Sequence, residues 1–175
     1  SELTVIKSST YVTALPITSG DIIEYTLTIS NATGNATAYD LNITDTLPAN
    51  LILNNAPTAT FLTTGNPVAG FISTPQNSPA GPLIWGRGNN DNSLDIPAGE
   101  TLILKYQVIL DNGAESGTDY VSRVLVDWTS LDGASSYERT GAGCPTITAP
   151  NDYCVGPIIS TITTVDNNAF TKAII

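Results

Sequence analysis

Two cysteines, Cys144 and Cys154, stand in the segment GCPTITAPNDYC with nine residues between them. A Pro-rich loop of that length, flanked by glycine, brings its ends within bonding reach, so the spacing predicts a disulfide and an oxidising compartment. Closing so short a loop contributes about 2–3 kcal/mol in the chain-entropy model, enough to hold the loop but too little to organise a fold. A metal site is the weaker alternative. The chain has no His, and the nearby carboxylates combine poorly with thiolates at zinc. Without His there is also no Ser-His or Cys-His nucleophile. No carboxylate spacing points to glycoside hydrolysis, and GRGNN at 86–90 leads into polar loop rather than into the helix N-terminus that would hold a phosphate. These residues do not point to an enzyme.

Other polar groups are candidates for binding or modification. Asp91 and Asp95, among Asn89, Asn90 and Asn92, supply the oxygen ligands Ca²⁺ takes, as do Asp127 and Asp132. The spacing matches no EF-hand, and a solvated acidic loop is the ordinary reading. Three Asn-X-Ser/Thr sequons, at Asn31, Asn35 and Asn42, crowd one stretch and are candidate glycosylation sites. Their predicted position on a hairpin and an outward face would let all three carry a glycan without disturbing the core. Lys7, near the start, and Asn167 or Asn168, near the end, have the side chains for an isopeptide cross-link. That chemistry also needs a buried carboxylate, which the sequence does not locate, so Lys7 reads as an ordinary surface lysine. Trp85, Trp128 and the seven Tyr have faces on which a sugar can stack, but most fit core or hairpin positions better.

The elements that must position these groups read as β-strands. In GDIIEYTLTISNATGNATAYDLNITDTLP (20–48), Ile23, Tyr25, Leu27 and Ile29 alternate with Glu24, Thr26, Thr28 and Ser30. Tyr39, Leu41 and Ile43 alternate in turn with Asp40, Asn42 and Thr44. This period of two predicts two half-buried strands, with SNATGN as a polar hairpin between them. Further strands are expected at 3–8, around Trp85 in 82–88, at 101–110, at 119–130 and at 157–165. One or two edge strands are expected within the Pro- and Gly-rich stretch 54–82. Ile103 and Ile109 fall on the outward face of their strand and are expected to be covered by a loop or a neighbouring molecule.

Composition agrees with an all-β chain. Charged residues are only 13% of its 175 residues, and no long stretch has a helical stripe. A net charge of −10 with six Lys and Arg argues against nucleic acid and anionic membrane surfaces as partners. No apolar run is long enough to span a membrane, and the first residues lack the basic and apolar regions of a signal peptide. The order of strands and turns predicts an immunoglobulin-like Greek-key β-sandwich with loop insertions. It forms one domain over residues 1–168.

The resemblance goes beyond pattern. The stretch from Gly20 to Leu51, the Trp-bearing strand, IPAGETLILKYQVIL and DWTSLDGASSYERTG resemble the signature elements of the surface repeats known as domain of unknown function 11. That family runs from Gly-Asp through a Tyr-Thr strand, Asn-Thr-Gly and an Ala-rich turn to Asp-Thr-Leu-Pro-Ala, then through a Gly-Glu turn to a long strand. The resemblance covers most of residues 3–165. It implies an Ig-like sandwich in an exported bacterial or archaeal protein, often one unit of a tandem array, with no defined active site. The chain departs where the family usually has Ile-Thr-Asn-Thr-Ala and here reads VSRVL. The cysteine loop and the segment after Pro48 read as insertions.

AFTKAII at 169–175 echoes TVIKSST at 4–10, as expected of a linker, the start of a next repeat, or a strand donated to a neighbour. The expected function is a non-catalytic structural module at the cell surface, a repeat or subunit of a stalk or fibre whose partners are copies of itself or neighbouring repeats. Module contacts are expected near the chain ends and at Ile103 and Ile109. The alternative is an adhesin domain that binds carbohydrate or protein with or without Ca²⁺.

Overall fold

A computed structural model describes residues 3–13, 17–115, 117–141 and 153–163. Its strands are β1 (Leu3–Tyr11), β2 (Ile22–Asn31), β3 (Tyr39–Thr46), β4 (Leu51–Leu53), β5 (Thr58–Phe61), β6 (Leu83–Gly86), β7 (Thr101–Leu110), β8 (Asp119–Thr129) and β9 (Cys154–Thr163). One sheet runs β1-β2-β7-β4, with β5 also on β7, and the other runs β6-β3-β8-β9. All the strand pairings are antiparallel. This is the Ig-like Greek-key sandwich that the order of strands and turns predicts.

Alternation decides which side chains fill the space between the sheets. Ile23, Tyr25, Leu27 and Ile29 of β2 are fully buried, and so are Leu104, Tyr106 and Val108 of β7. Their paired registers, among them Tyr25 with Tyr106 and Leu27 with Leu104, put these side chains on one face of the sheet. The opposite layer supplies Leu41, Ile43, Trp85, Val124, Val126 and Trp128. Trp85 and Trp128 are therefore core residues and offer no sugar platform. β6 ends at Gly86, whose φ of 83° suits glycine and where any Cβ would overlap the carbonyl oxygen of Leu41.

Two expectations need correction. The stretch 20–48 contains no hairpin. β2 pairs with β1 and β7, β3 pairs with β6 and β8, and residues 32–38 carry the chain from one sheet to the other. A polar turn between two alternating strands reads the same locally whether they pair with each other or face each other across a core. Ile103 and Ile109 are half-buried rather than open, because β5 sets Thr60 beside Ile103 and β4 sets Ile52 beside Ile109. The exposed apolar side chains on the outer strands are instead Ile6 of β1 and Ile159 of β9. The Pro- and Gly-rich segment does supply a short strand of the kind expected there, β5, which shares the edge of β7 with β4.

Leu27→Ala should cost about 2–5 kcal/mol, because it empties a site enclosed on all sides. Ile6→Ala should change stability by no more than about 0.5 kcal/mol, because its side chain already lies in water. Urea midpoints of the two variants against the parent chain check both outcomes.

Candidate functional site

The alternation that builds the core also carries polar residues into it. Leu3, Val5 and Lys7 share the inner face of β1; Leu41, Ile43 and Asp45 share that of β3; Tyr120, Ser122, Val124 and Val126 share that of β8. Lys7, Asp45 and Ser122 meet between the sheets. Lys7 Nζ donates to Asp45 Oδ2 at 2.6 Å, and neither side chain has any solvent exposure. The amine also contacts Ser122 Oγ, whose hydroxyl donates to Asp45 Oδ1 at 2.8 Å. The Tyr106 hydroxyl donates to Asp45 Oδ2.

Aromatic rings close the site. Lys7 Nζ stands 4.2 Å from the centroid of the Tyr25 ring, where the negative face of the ring attracts a cation. Tyr25 and Trp85 both pack against Tyr106, with centroid separations of 5.5 and 5.1 Å. With Trp85 backing Tyr106, the cluster thus draws on β1, β2 and β7 of one sheet and β3, β6 and β8 of the other.

Burial governs its electrostatics. Loss of hydration lowers the Lys7 amine below its ordinary value, and the neighbouring Asp45 charge and hydrogen bond only partly offset this. The hydroxyls of Tyr25 and Tyr106 are pushed up, mainly by burial and secondly by the Asp45 charge. Removing either member of such a pair leaves an uncompensated buried charge, at a typical cost of about 3–5 kcal/mol.

Lys7 is therefore not the surface lysine expected from the sequence. Asp45 is a buried carboxylate beside Lys7, while Asn167 and Asn168 lie outside the described residues. The period-two pattern of LTVIKSS already put Lys7 in line with Leu3 and Val5, and that of LNITD put Asp45 in line with Leu41 and Ile43. Reading each strand separately hides the fact that the two polar positions face each other.

The other candidate residues hold loops in place. Asp91 accepts the backbone N–H groups of Ile72 and Ser93, and Asp95 accepts that of Asp40. Burial raises the Asp95 carboxyl above its usual range. Asp127 pairs with Arg87 and accepts from Asn42. Among the described residues, no three His, Cys, Asp or Glu side chains converge as a metal site requires. Asn31 is buried and donates from Nδ2 to the carbonyls of Ala36 and Ile96. Nδ2 of Asn35 donates to Asn31 Oδ1, and Nδ2 of Asn42 to Asp127 Oδ2. Nδ2 of each sequon asparagine is thus hydrogen-bonded, and the burial of Asn31 corrects the expectation that all three face outward. Cys154 is buried at the start of β9 and is not a free thiol. Cys144, its expected partner, lies outside the described residues.

No protein-family model matches the chain, and no curated protein matches it either. Solved structures do. The pilus backbone protein RrgB of Streptococcus pneumoniae aligns with a TM-score of 0.54 at 14% identity over 74% of this chain and 32% of its own. A variant of BcpA, the major pilin subunit of Bacillus cereus, aligns with a TM-score of 0.52 at 17% identity, over 79% of this chain and 38% of its own. The collagen-binding domain of a Staphylococcus aureus adhesin aligns with a TM-score of 0.46 at 12% identity. The chain spans about a third of the length of the two pilins. At these identities the likeness is one of fold.

Tyr25 and Tyr106 set a pH limit. Their folded hydroxyls keep protons that unfolded phenols lose near pH 10. Their contribution to stability is complete below about pH 10 and is lost as pH rises further. Lys7 acts in the opposite sense: with its folded value lowered, the cost of burying it shrinks as pH rises toward the ordinary 10.5. Urea midpoints followed through alkaline pH should fall beyond about pH 10, with tyrosinate absorbance appearing in step with unfolding. Tyr106→Phe should make that fall shallower.

Proposed function

We propose that this chain is a non-catalytic structural module of an extracellular surface filament, working as a repeat or subunit through end-to-end contacts. The observation that carries this reading is the buried Lys7–Asp45–Ser122–Tyr106 cluster, which ties the first strand to the opposite sheet. A module that transmits tension through its ends needs resistance where the terminal strand would peel away, and the cluster lies there. The pilin-like fold supports the same reading, as does the resemblance to the domain of unknown function 11 repeats. Location at the cell surface and a Cys144–Cys154 disulfide belong to the proposal.

Contacts between modules would use the sheet margins. Among the described strands β1 pairs only with β2, and β9 only with β8. Ile6 and Ile159 stand exposed on these strands and are better suited to such contacts than Ile103 and Ile109. Residues 169–175, similar to β1 in sequence, would supply a strand or lead into a next repeat.

Electron microscopy of native material should show beaded threads whose repeat is close to one domain length. Dispersed single domains from the full-length protein would overturn the filament reading. Binding on a glycan array, lost on chelation, would favour an adhesin instead.

A further inference from the structure

We propose that a recess beside the loop of residues 130–139 binds a single neutral sugar unit through its hydroxyl groups. The recess holds about 210 Å³ and is lined by Asp40, Arg87, Asn92, Gly133, Ala134 and Glu138. None of these belongs to the cluster around Lys7. Three buried side-chain atoms of the lining residues, Asp40 Oδ1, Arg87 Nη1 and Glu138 Oε1, have no hydrogen-bond partner among the described residues. Buried polar atoms are ordinarily paired, so three such atoms around one concavity mark a place where a polar ligand fits.

The backbone brings these groups together. The alternation of β3 breaks at a bulge between Tyr39 and Asn42, where Asp40 takes a φ of 47° and both Asp40 and Leu41 are buried. Asp40 is only 3% exposed. Its Oδ2 accepts the Gly133 N–H at 2.8 Å, which leaves Oδ1 to the recess. Arg87 gives Nη2 to Asp127 and keeps Nη1. The loop that supplies Glu138 is pinned at its base, where the Ser130 N–H donates to the Arg139 carbonyl and the Arg139 N–H to Ser130 Oγ.

This set of groups decides the ligand class. Two carboxylates disfavour an anion, and the guanidinium in the same recess disfavours a cation. A hydroxyl suits both, since it donates to a carboxylate and accepts from a guanidinium, and bonds to charged partners are the stronger kind. Next to Glu138 in the chain, the Tyr137 side chain is 90% exposed and offers a ring face on which the C–H surface of a sugar can stack. The volume is below the roughly 300 Å³ at which drug-sized sites begin, which limits the occupant to one ring. Such recognition needs no metal ion and belongs to the single folded chain, whether or not that chain polymerises.

The test titrates the isotope-labelled full chain with the methyl glycosides of glucose, galactose and mannose in turn, with and without EDTA, and follows its backbone amides by NMR. Saturable shifts centred on Asp40, Gly133 and Glu138 are expected with at least one glycoside, with a Kd on the order of 1 mM and no effect of EDTA. Glu138→Ala should weaken binding by about 10-fold, and Tyr137→Ala should weaken it several-fold. Both residues lie outside the core, so the variants keep the fold. On a glycan array, capture of glycans ending in the same sugar would identify a surface glycan as the source, and binding of the methyl glycoside alone would identify a free saccharide. The proposal is overturned if no glycoside gives saturable shifts, if the shifts centre elsewhere or vanish with EDTA, or if both variants bind as the parent does. It is equally overturned if acetate or methylammonium saturates the same amides more tightly than the sugars.

Discussion

A lysine and an aspartate with no solvent exposure stand 2.6 Å apart at the centre of this sandwich, and much of the core is arranged around them. Transfer of either charge from water into an apolar interior is expensive, and the mutual attraction of a pair only partly offsets it. The surrounding structure supplies the rest. Tyr106 and Ser122 engage the two carboxylate oxygens, and the Tyr25 ring faces the ammonium. Each of these side chains is set by the register of a different strand, so the cluster exists only when five strands are aligned together. A slip of one residue in β1 would turn Lys7 outward and leave Asp45 without its cation.

That dependence makes the cluster a device for specificity as much as for stability. An apolar quartet of similar volume would fill the same space without demanding one register. The polar set penalises every alternative pairing of β1, the outermost strand of its sheet. Such a strand is the one most easily lost from a sheet, and the cluster reaches past β2 to hold it from the other layer.

The loops follow a simpler logic. Carboxylates and amides that suggest ligand binding when read along the chain are used to satisfy backbone N–H and carbonyl groups where strands leave the sheets. Asp91 and Asp95 do this for the segments around Ile72, Ser93 and Asp40, and Asn31 and Asn42 for the crossings near β3 and β6. With few charged residues and long connections, the chain relies on short polar side chains to order its turns. These groups are therefore already occupied in the folded module.

Alternation along β2, β7 and β8 determined the fold class from the sequence alone, because a two-residue period places one set of side chains inside whatever the partner strands are. The absence of His likewise leaves the chain no residue for a His-based nucleophilic triad. Which strands pair, and which face each other, was decided only in three dimensions. The segment NATGNA is compatible with a hairpin, and only the pairing of β2 with β7 and β3 with β8 makes it a crossing between sheets. The same holds for the site. Lys7 and Asp45 each lay on a legible inner face, but they are 38 positions apart, and no local pattern reports that two inner faces meet at those two residues. Their encounter depends on the registers of both sheets and on how the sheets stack, which are properties of the packed molecule rather than of any segment of it.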